Sequence, residues 1–200
     1  VLDPTHIEPT VHEHRRMDEP RAFELKHDAD GIAWLTFDQP GTSANLLSEA
    51  TLRELDEVIE DLENETALRA LVIRSAKSRV FIAGADLKAV RVRKPSEVGD
   101  LIRLGQNVFQ RLAALPVRKV AAIHGACVGG GYELALACDV RIATRDDSTR
   151  IGLPETQLGL LPAWGGSTRL PRLIGLPRAL DLILSGRLLK ADEALRGGLV

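Results

Sequence analysis

Short apolar segments alternate along this chain with longer segments of helical periodicity. The short ones are rich in aliphatic, β-branched and aromatic residues, which is typical of buried strands. These strand-like segments are 32–38, 70–75, 117–125 and 140–144. Leucines at three- and four-residue spacing predict helices from Ser48, as N-cap, to Leu62 and from about Ser96 to Leu112. The alternation predicts an α/β fold in which helices cover parallel strands.

The rest of the chain is less regular. Residues 77–87 are read as a strand or loop, and a helix is expected from about Gly130. After a turn at 145–150, a loop and a short helix precede helices near 177–184 and 190–196. The polar, proline-containing residues 1–22 predict a flexible N-terminal arm, so residues 23–200 form the expected core.

Composition excludes several functions. With 200 residues, 44% hydrophobic content and a net charge of −2, the chain is expected to form one domain without a general attraction for nucleic acid. No apolar run is long enough to span a membrane, and no targeting segment is recognised, which favours a cytoplasmic protein. Cys127 and Cys138 are interpreted as buried thiols in a reducing compartment. Three histidines of the arm are too loosely spaced to predict a metal site: His6, His12 and His14.

Common catalytic and nucleotide-binding motifs are absent from the sequence. It contains no GxGxxG, no GxxxxGK[ST] and no GxSxG. A dinucleotide site and a serine hydrolase are therefore disfavoured. Residues 69–94 hold eight basic side chains and one acid, Asp86. Without interleaved aromatic residues this segment does not favour RNA binding; it fits either a phosphate-binding rim or a solvated basic face.

The segment HGACVGGGYELALACD, residues 124–139, joins glycines to one acid in an apolar helix. A helix N-terminus leaves backbone N–H groups unpaired, and glycines let a ligand approach them closely. The same glycines could instead serve tight helix packing, and the segment alone does not separate these alternatives. FIAGADL, residues 81–87, offers a second segment of exposed N–H groups, and two such donors can form an oxyanion hole.

Glu133 and Glu155 are the candidate acid–base residues. Glu133 lies in the first helical turn after Gly130, and Glu155 follows Pro154 in an apolar loop. Two carboxylates near one site could hold a water between them, and poor solvation would raise the pKa of one. Each could also be an ordinary surface acid, and their spacing does not show that they meet.

Three segments together resemble the enoyl-CoA hydratase/isomerase family, the crotonases. They are FIAGADLKAV, HGACVGGGYELALACDVRIAT and LPETQLGLLPAWGGSTRLPRLIG. Within that family, the residues of these segments are most similar to the N-terminal hydratase part of multifunctional α-subunits of fatty-acid oxidation. The resemblance covers about residues 23–200. It implies a spiral of ββα units, with two roughly perpendicular sheets wrapped by helices and with the family's further C-terminal helices missing.

The resemblance also implies an acyl-CoA thioester as ligand and a role for each matching residue. Glu133 and Glu155 correspond to the two catalytic acids, and Ala83 and Gly130 to the oxyanion-hole donors. Further substrate contacts are expected at Gly84, Ala85, Asp86, Leu87, Gly129, Pro154 and Ala163. The glutamate pair favours hydration of a trans-2-enoyl-CoA in β-oxidation. An enoyl-CoA isomerase and a non-catalytic acyl-CoA-binding fragment are the alternatives.

By the same resemblance no cofactor and no metal are expected, and NAD only if a dehydrogenase half follows. Partners would be further copies of the chain or a thiolase subunit. One departure concerns PAWGG, residues 162–166. Ala163 replaces a glycine whose N–H helps to hold the water, and Trp164 adds bulk that either narrows the acyl pocket or packs the loop.

Overall fold

A computed structural model describes residues 20–200 of the chain. The predicted arm therefore lies largely outside the described residues, and so do its three histidines. The strands are β1 Phe23–His27, β2 Ile32–Phe37, β3 Ala70–Ser75, β4 Val80–Ile82, β5 Arg118–Ile123, β6 Ala126–Val128, β7 Val140–Ala143 and β8 Arg150–Gly152. The helices are α1 Glu49–Glu63, α2 Leu87–Arg91, α3 Pro95–Ala114, α4 Gly130–Ala137, α5 Gly166–Ile174, α6 Leu176–Ser185 and α7 Ala191–Arg196, with a 3₁₀ helix at Glu155–Leu158.

The strands form two sheets, as expected. The larger has the order β1-β2-β3-β5-β7, in which only the β1–β2 pair is antiparallel. The smaller has the order β4-β6-β8 and is wholly parallel. Three times in succession, one strand joins the large sheet, the next joins the small sheet, and helical structure follows. The chain thus advances as a spiral of ββα units.

The two long helices were predicted correctly because their apolar faces repeat over several turns. The Ser48 side chain accepts a hydrogen bond from the Thr51 N–H and caps α1. The leucines and isoleucine of α1 that face inward are buried, and each contributes roughly 1.5–3 kcal/mol of transfer free energy. Helix α1 packs on α3, and α3 in turn packs on α4.

Helix α4 is buried along its whole length, so it occupies the centre of the molecule. It contacts β4 and β6 of the small sheet and the following helix α5. Cys127 and Cys138, before and after this helix, are buried and unpaired, as predicted. The charged residue Glu133 is carried into the interior on this helix.

Strands β6 and β8 were not predicted, whereas β4 lies within 77–87, the segment that was read as a strand or loop. Strands β4, β6 and β8 have three residues each, too few to display a period. The edge strand β1 begins at the expected boundary of the core but was not recognised as a strand. Directly before it, Ala22 is buried, and the Glu54 carboxylate accepts hydrogen bonds from the N–H groups of Ala22 and Phe23.

Among residues 20–200, no helix is both long and apolar enough to cross a membrane. Within the same residues, no cluster of three or more histidine, cysteine or acidic side chains has the arrangement of a metal site.

Candidate active site

The candidate site is built where the three strands of the small sheet end. Because β4, β6 and β8 are parallel neighbours, the segments that follow them emerge side by side. After β4 comes Ala83–Asp86, after β6 comes Gly129–Gly130, and after β8 comes Leu153–Glu155. The small sheet therefore brings together segments that are about 25 to 70 residues apart in the sequence.

Two glycines at this edge have positive φ angles. They are Gly84 at 97° and Gly129 at 55°. A Cβ atom added to Gly84 would lie 3.2 Å from the Val128 carbonyl oxygen, and one added to Gly129 would lie 3.1 Å from Glu155 Oε1. Here the glycines supply both an uncommon backbone conformation and the room for a close approach of two segments.

A backbone hydrogen bond contradicts the prediction that Ala83 supplies an oxyanion-hole donor. The Ala83 N–H donates to the Asn45 carbonyl at 2.9 Å, so it is already used. On either side of Ala85, the Gly84 carbonyl accepts from Leu47 and the Asp86 N–H donates to Leu47. The N–H of Ala85 itself has no acceptor among residues 20–200, and Ala85 lines the cavity of the site.

The N–H of Gly130 is likewise without an acceptor in the described part of the chain. Gly130 is the first residue of α4, where intrahelical hydrogen bonds have not yet begun. A Cβ on Gly84 would lie 3.7 Å from the Gly130 nitrogen, so the turn after β4 and the start of α4 are adjacent. Two backbone donors thus border one cavity.

Glu133 is 2% exposed, and backbone groups of the segment 162–166 hold its side chain by hydrogen bonds. Its Oε1 accepts hydrogen bonds from the N–H groups of Trp164 and Gly166, each at 2.8 Å. Burial raises the pKa of Glu133 to about 7, although the Gly166 N–H opposes this shift. The charge of nearby Glu155 raises the pKa further, while the Trp164 N–H and Arg169 lower it.

Glu155 begins the 3₁₀ helix and is partly buried. Burial is the main cause that raises its pKa above the usual value. Its Oε2 is fully buried and has no hydrogen-bond partner within residues 20–200. A buried carboxylate oxygen without a partner is costly, and such groups concentrate at functional sites.

These groups surround one cavity of about 180 Å³ with a mainly apolar lining. All the predicted site residues line it except Asp86. The Asp86 carboxylate instead caps α2 by accepting from the N–H groups of Lys88 and Ala89. The sequence reasoning missed the apolar wall, which is formed by Val90, Val98, Leu101, Ile102, Val128, Leu158, Leu160 and Leu161. Several of these repeat at helical spacing in α3, but this period signals burial in general and not a cavity.

The segment 162–166 holds Glu133 in place. The donors are the N–H groups of Trp164 and Gly166, and the Ala163 carbonyl accepts from Gln106 Nε2 at 2.8 Å. Trp164 contributes to both the cavity and the core. Its side chain lines the cavity, and with 5% exposure it also packs the loop against the core.

The basic residues of 69–94 do not form one free face. Arg74 stacks over the ring of Trp34, Lys77 pairs with Asp38, and Arg93 pairs with Glu49. Lys88 and Arg91 are exposed on α2, the helix whose Leu87 and Val90 line the cavity. Two exposed cations therefore lie next to the cavity.

Replacing Gly131 by alanine is expected to destabilise the fold by about 1–3 kcal/mol, because α4 packs too closely on β4 to admit a methyl group. The added Cβ would lie 2.7 Å from the Cβ of Ile82. Urea unfolding measures the loss. Gly99→Ala in α3 is the matched control: its new Cβ meets nothing closer than 3.7 Å, so it should stabilise the helix by about 0.5–1 kcal/mol. Equal effects at the two positions would contradict the packing argument.

Comparison with known proteins identifies the family of the chain. Residues 27–200 match the sequence model of a family described as enoyl-CoA hydratase/isomerase. Among solved structures, enoyl-CoA hydratase from Bacillus anthracis superposes with a TM-score of 0.85 and 36% identity, over 90% of this chain and 69% of that one. The structure of "Enoyl-CoA hydrates" from Geobacillus kaustophilus gives 0.86 and 32%, over 91% and 67%. The chain belongs to the enoyl-CoA hydratase/isomerase family, which confirms the predicted resemblance and fold.

The relatives also define the branch of the family. Fatty acid oxidation complex subunit alpha of Vibrio vulnificus is 49% identical over 185 residues, and its Vibrio cholerae counterpart is 50% identical over 186. Each alignment covers 92% of this chain and 26% of the relative. The predicted likeness to α-subunits of fatty-acid oxidation is confirmed, and the chain spans about a quarter of their length.

Proposed function

We propose that this protein hydrates trans-2-enoyl-CoA thioesters to 3-hydroxyacyl-CoA in fatty-acid β-oxidation. The observation that carries the proposal is the pairing, around one cavity, of two carboxyls of raised pKa with two backbone N–H groups that have no acceptor in residues 20–200. The names of the similar proteins support the same reaction class.

The thioester oxygen would be bound by the N–H groups of Ala85 and Gly130. Charge builds on this oxygen as a nucleophile adds to C3, and each donor aimed at it is worth roughly 10²–10³ in rate. Ala85 is preferred to Ala83 because the Ala83 N–H already donates to Asn45. The backbone of Gly84, Ala85 and Leu87 would contact the thioester beside the hole, together with Gly129, Pro154 and Ala163.

Glu133 and Glu155 would hold the attacking water between them. The water oxygen bonds to C3, and one water proton passes to a carboxylate of the pair. Glu155 delivers a proton to C2, so the elements of one water are added across the double bond. A pair of carboxyls suits this exchange, since one must accept a proton while the other donates one. The reaction consumes only the thioester and water.

The CoA phosphates would meet the exposed cations Lys88 and Arg91 beside the cavity. Asp86 would contribute through the cap that holds α2 in place. Assembly with further copies of the chain or with a thiolase subunit stays a prediction, as does a cytoplasmic location.

The test is hydration of crotonyl-CoA, followed by the loss of absorbance of its conjugated double bond, with identification of the product. We expect turnover and 3-hydroxybutyryl-CoA. Conversion of a 3-enoyl-CoA without hydration would instead make the protein an isomerase. Tight binding of butyryl-CoA without any turnover would support the acyl-CoA-binding alternative and overturn the proposal.

A further inference from the structure

The apolar part of the cavity follows one face of α3. Val98, Leu101 and Ile102 line it, and the next position of the same face is Gly105. Gly105 is buried in the middle of a 20-residue helix, where glycine costs about 1 kcal/mol relative to alanine. Such a residue calls for a steric reason.

That reason is the indole of Trp164. A Cβ atom on Gly105 would lie 2.6 Å from Trp164 Cδ1, so only glycine admits the ring here. On its other side the ring meets Gly130, where an added Cβ would lie 2.5 Å from Cζ3. The ring also contacts buried Phe109 edge to face at 5.8 Å between centroids. The indole fills the space between α3 and the start of α4.

Shape and not polarity holds the ring there. Its Nε1 is buried and has no acceptor within residues 20–200, so no hydrogen bond of the side chain determines its position. The backbone of Trp164 is fixed at both ends: its N–H donates to Glu133, and its carbonyl accepts from Arg169 at 3.1 Å. A ring confined in this way is a rigid wall.

One part of the rim of the cavity is exposed. Leu158, Leu160 and Leu161 line it with 54%, 45% and 69% of their surface exposed. The cavity therefore opens toward these leucines and is closed on the core side by Trp164. Without the indole, the cavity would continue along α3 past Gly105 to Phe109, a further helical turn of about 5.4 Å.

We propose that Trp164 limits the length of the acyl chain that this protein accepts, and that the protein therefore acts on short-chain enoyl-CoA. The inference rests on the proposed function and adds its substrate class. Each buried methylene contributes about a fourfold gain in affinity, and in the unaltered protein this gain should stop once the chain reaches the indole.

The test compares butyryl-, octanoyl- and dodecanoyl-CoA by calorimetry, and the corresponding enoyl-CoA substrates by kcat/KM. For Trp164→Ala and the milder Trp164→Leu, we expect the long-to-short ratio to rise about tenfold or more in both measurements. Trp164→Leu guards against loss of folding in the alanine variant. The ratio is internal to each variant, so a general loss of activity does not affect it.

Leu161→Ala on the exposed rim is the matched control. If the long-to-short ratio changed in Leu161→Ala and not in the Trp164 variants, the acyl chain would have to run over the rim, and the inference would be overturned. Affinity that keeps rising with chain length in the unaltered protein would overturn it too. Because the bound acyl-CoAs are saturated, the calorimetry is informative even if no hydration occurs, which separates failure of this inference from failure of the proposed function.

Discussion

Replacing Glu155 by glutamine should lower kcat for crotonyl-CoA by roughly 10²–10⁴, the range that a positioned acid–base group contributes. The amide keeps the size of the side chain but can neither accept nor deliver the proton. Acyl-CoA binding should change little, since the backbone N–H groups of Ala85 and Gly130 do not depend on this side chain. Steady-state kinetics and butyryl-CoA calorimetry check the two halves of this expectation.

Glu60→Gln, an exposed change on α1 outside the cavity, is the control for that experiment. It should leave both kcat and affinity as they are. If Glu155→Gln kept more than about half of the activity, the acid–base role of Glu155 would be lost. A variant that lost binding and turnover together would indicate a structural role.

Replacing Glu133 by glutamine should stabilise the fold above neutral pH while it removes most turnover. In the folded protein burial raises the pKa of this carboxyl from 4.5 to about 7. The folded state therefore holds its proton to higher pH than the unfolded chain does. The protonated Glu133 carboxyl therefore contributes stability that is fully present below pH 4.5 and is lost as the pH rises through 7.

Glutamine does not titrate, and its amide oxygen can still accept from the N–H groups of Trp164 and Gly166. As the pH rises between these values, the free energy of unfolding of Glu133→Gln should therefore increase relative to that of the parent by up to about 3 kcal/mol. Urea unfolding of both proteins across this range measures the gain. A difference that stays constant with pH would contradict a buried carboxyl of raised pKa.

The fold was predictable where a period extends over many residues. The apolar faces of α1 and α3 and the strands β2, β3 and β5 were expected within a few residues of their actual bounds. The small sheet was not, because three residues cannot display alternation and its pairing is entirely between distant segments. Strand β1 did carry a signal, since Phe23 and Leu25 alternate with polar residues before the turn at 28–31.

The site was predictable in its side chains and less so in its backbone. A glutamate beside glycines can be recognised from sequence, and Glu133 and Glu155 do line one cavity. A backbone donor has no side chain that identifies it. Which of Ala83 and Ala85 has a free N–H depends on a hydrogen bond to Asn45, nearly 40 residues earlier, that local sequence does not specify. The contact of Trp164 with Gly105 could not be predicted either, because it too joins residues that are far apart in the sequence.

The spiral of ββα units has a consequence for how such a site can change. Each of three successive units contributes one part at the same position, directly after its small-sheet strand: a backbone donor after β4, a donor with Glu133 after β6, and Glu155 after β8. The donors are main-chain groups, so substitutions that spare the glycines leave them in place, whereas each acid is one replaceable side chain. Under the proposed function, binding of the thioester would rest on main-chain groups and the choice of reaction on the two acids, so that either could evolve while the other is conserved.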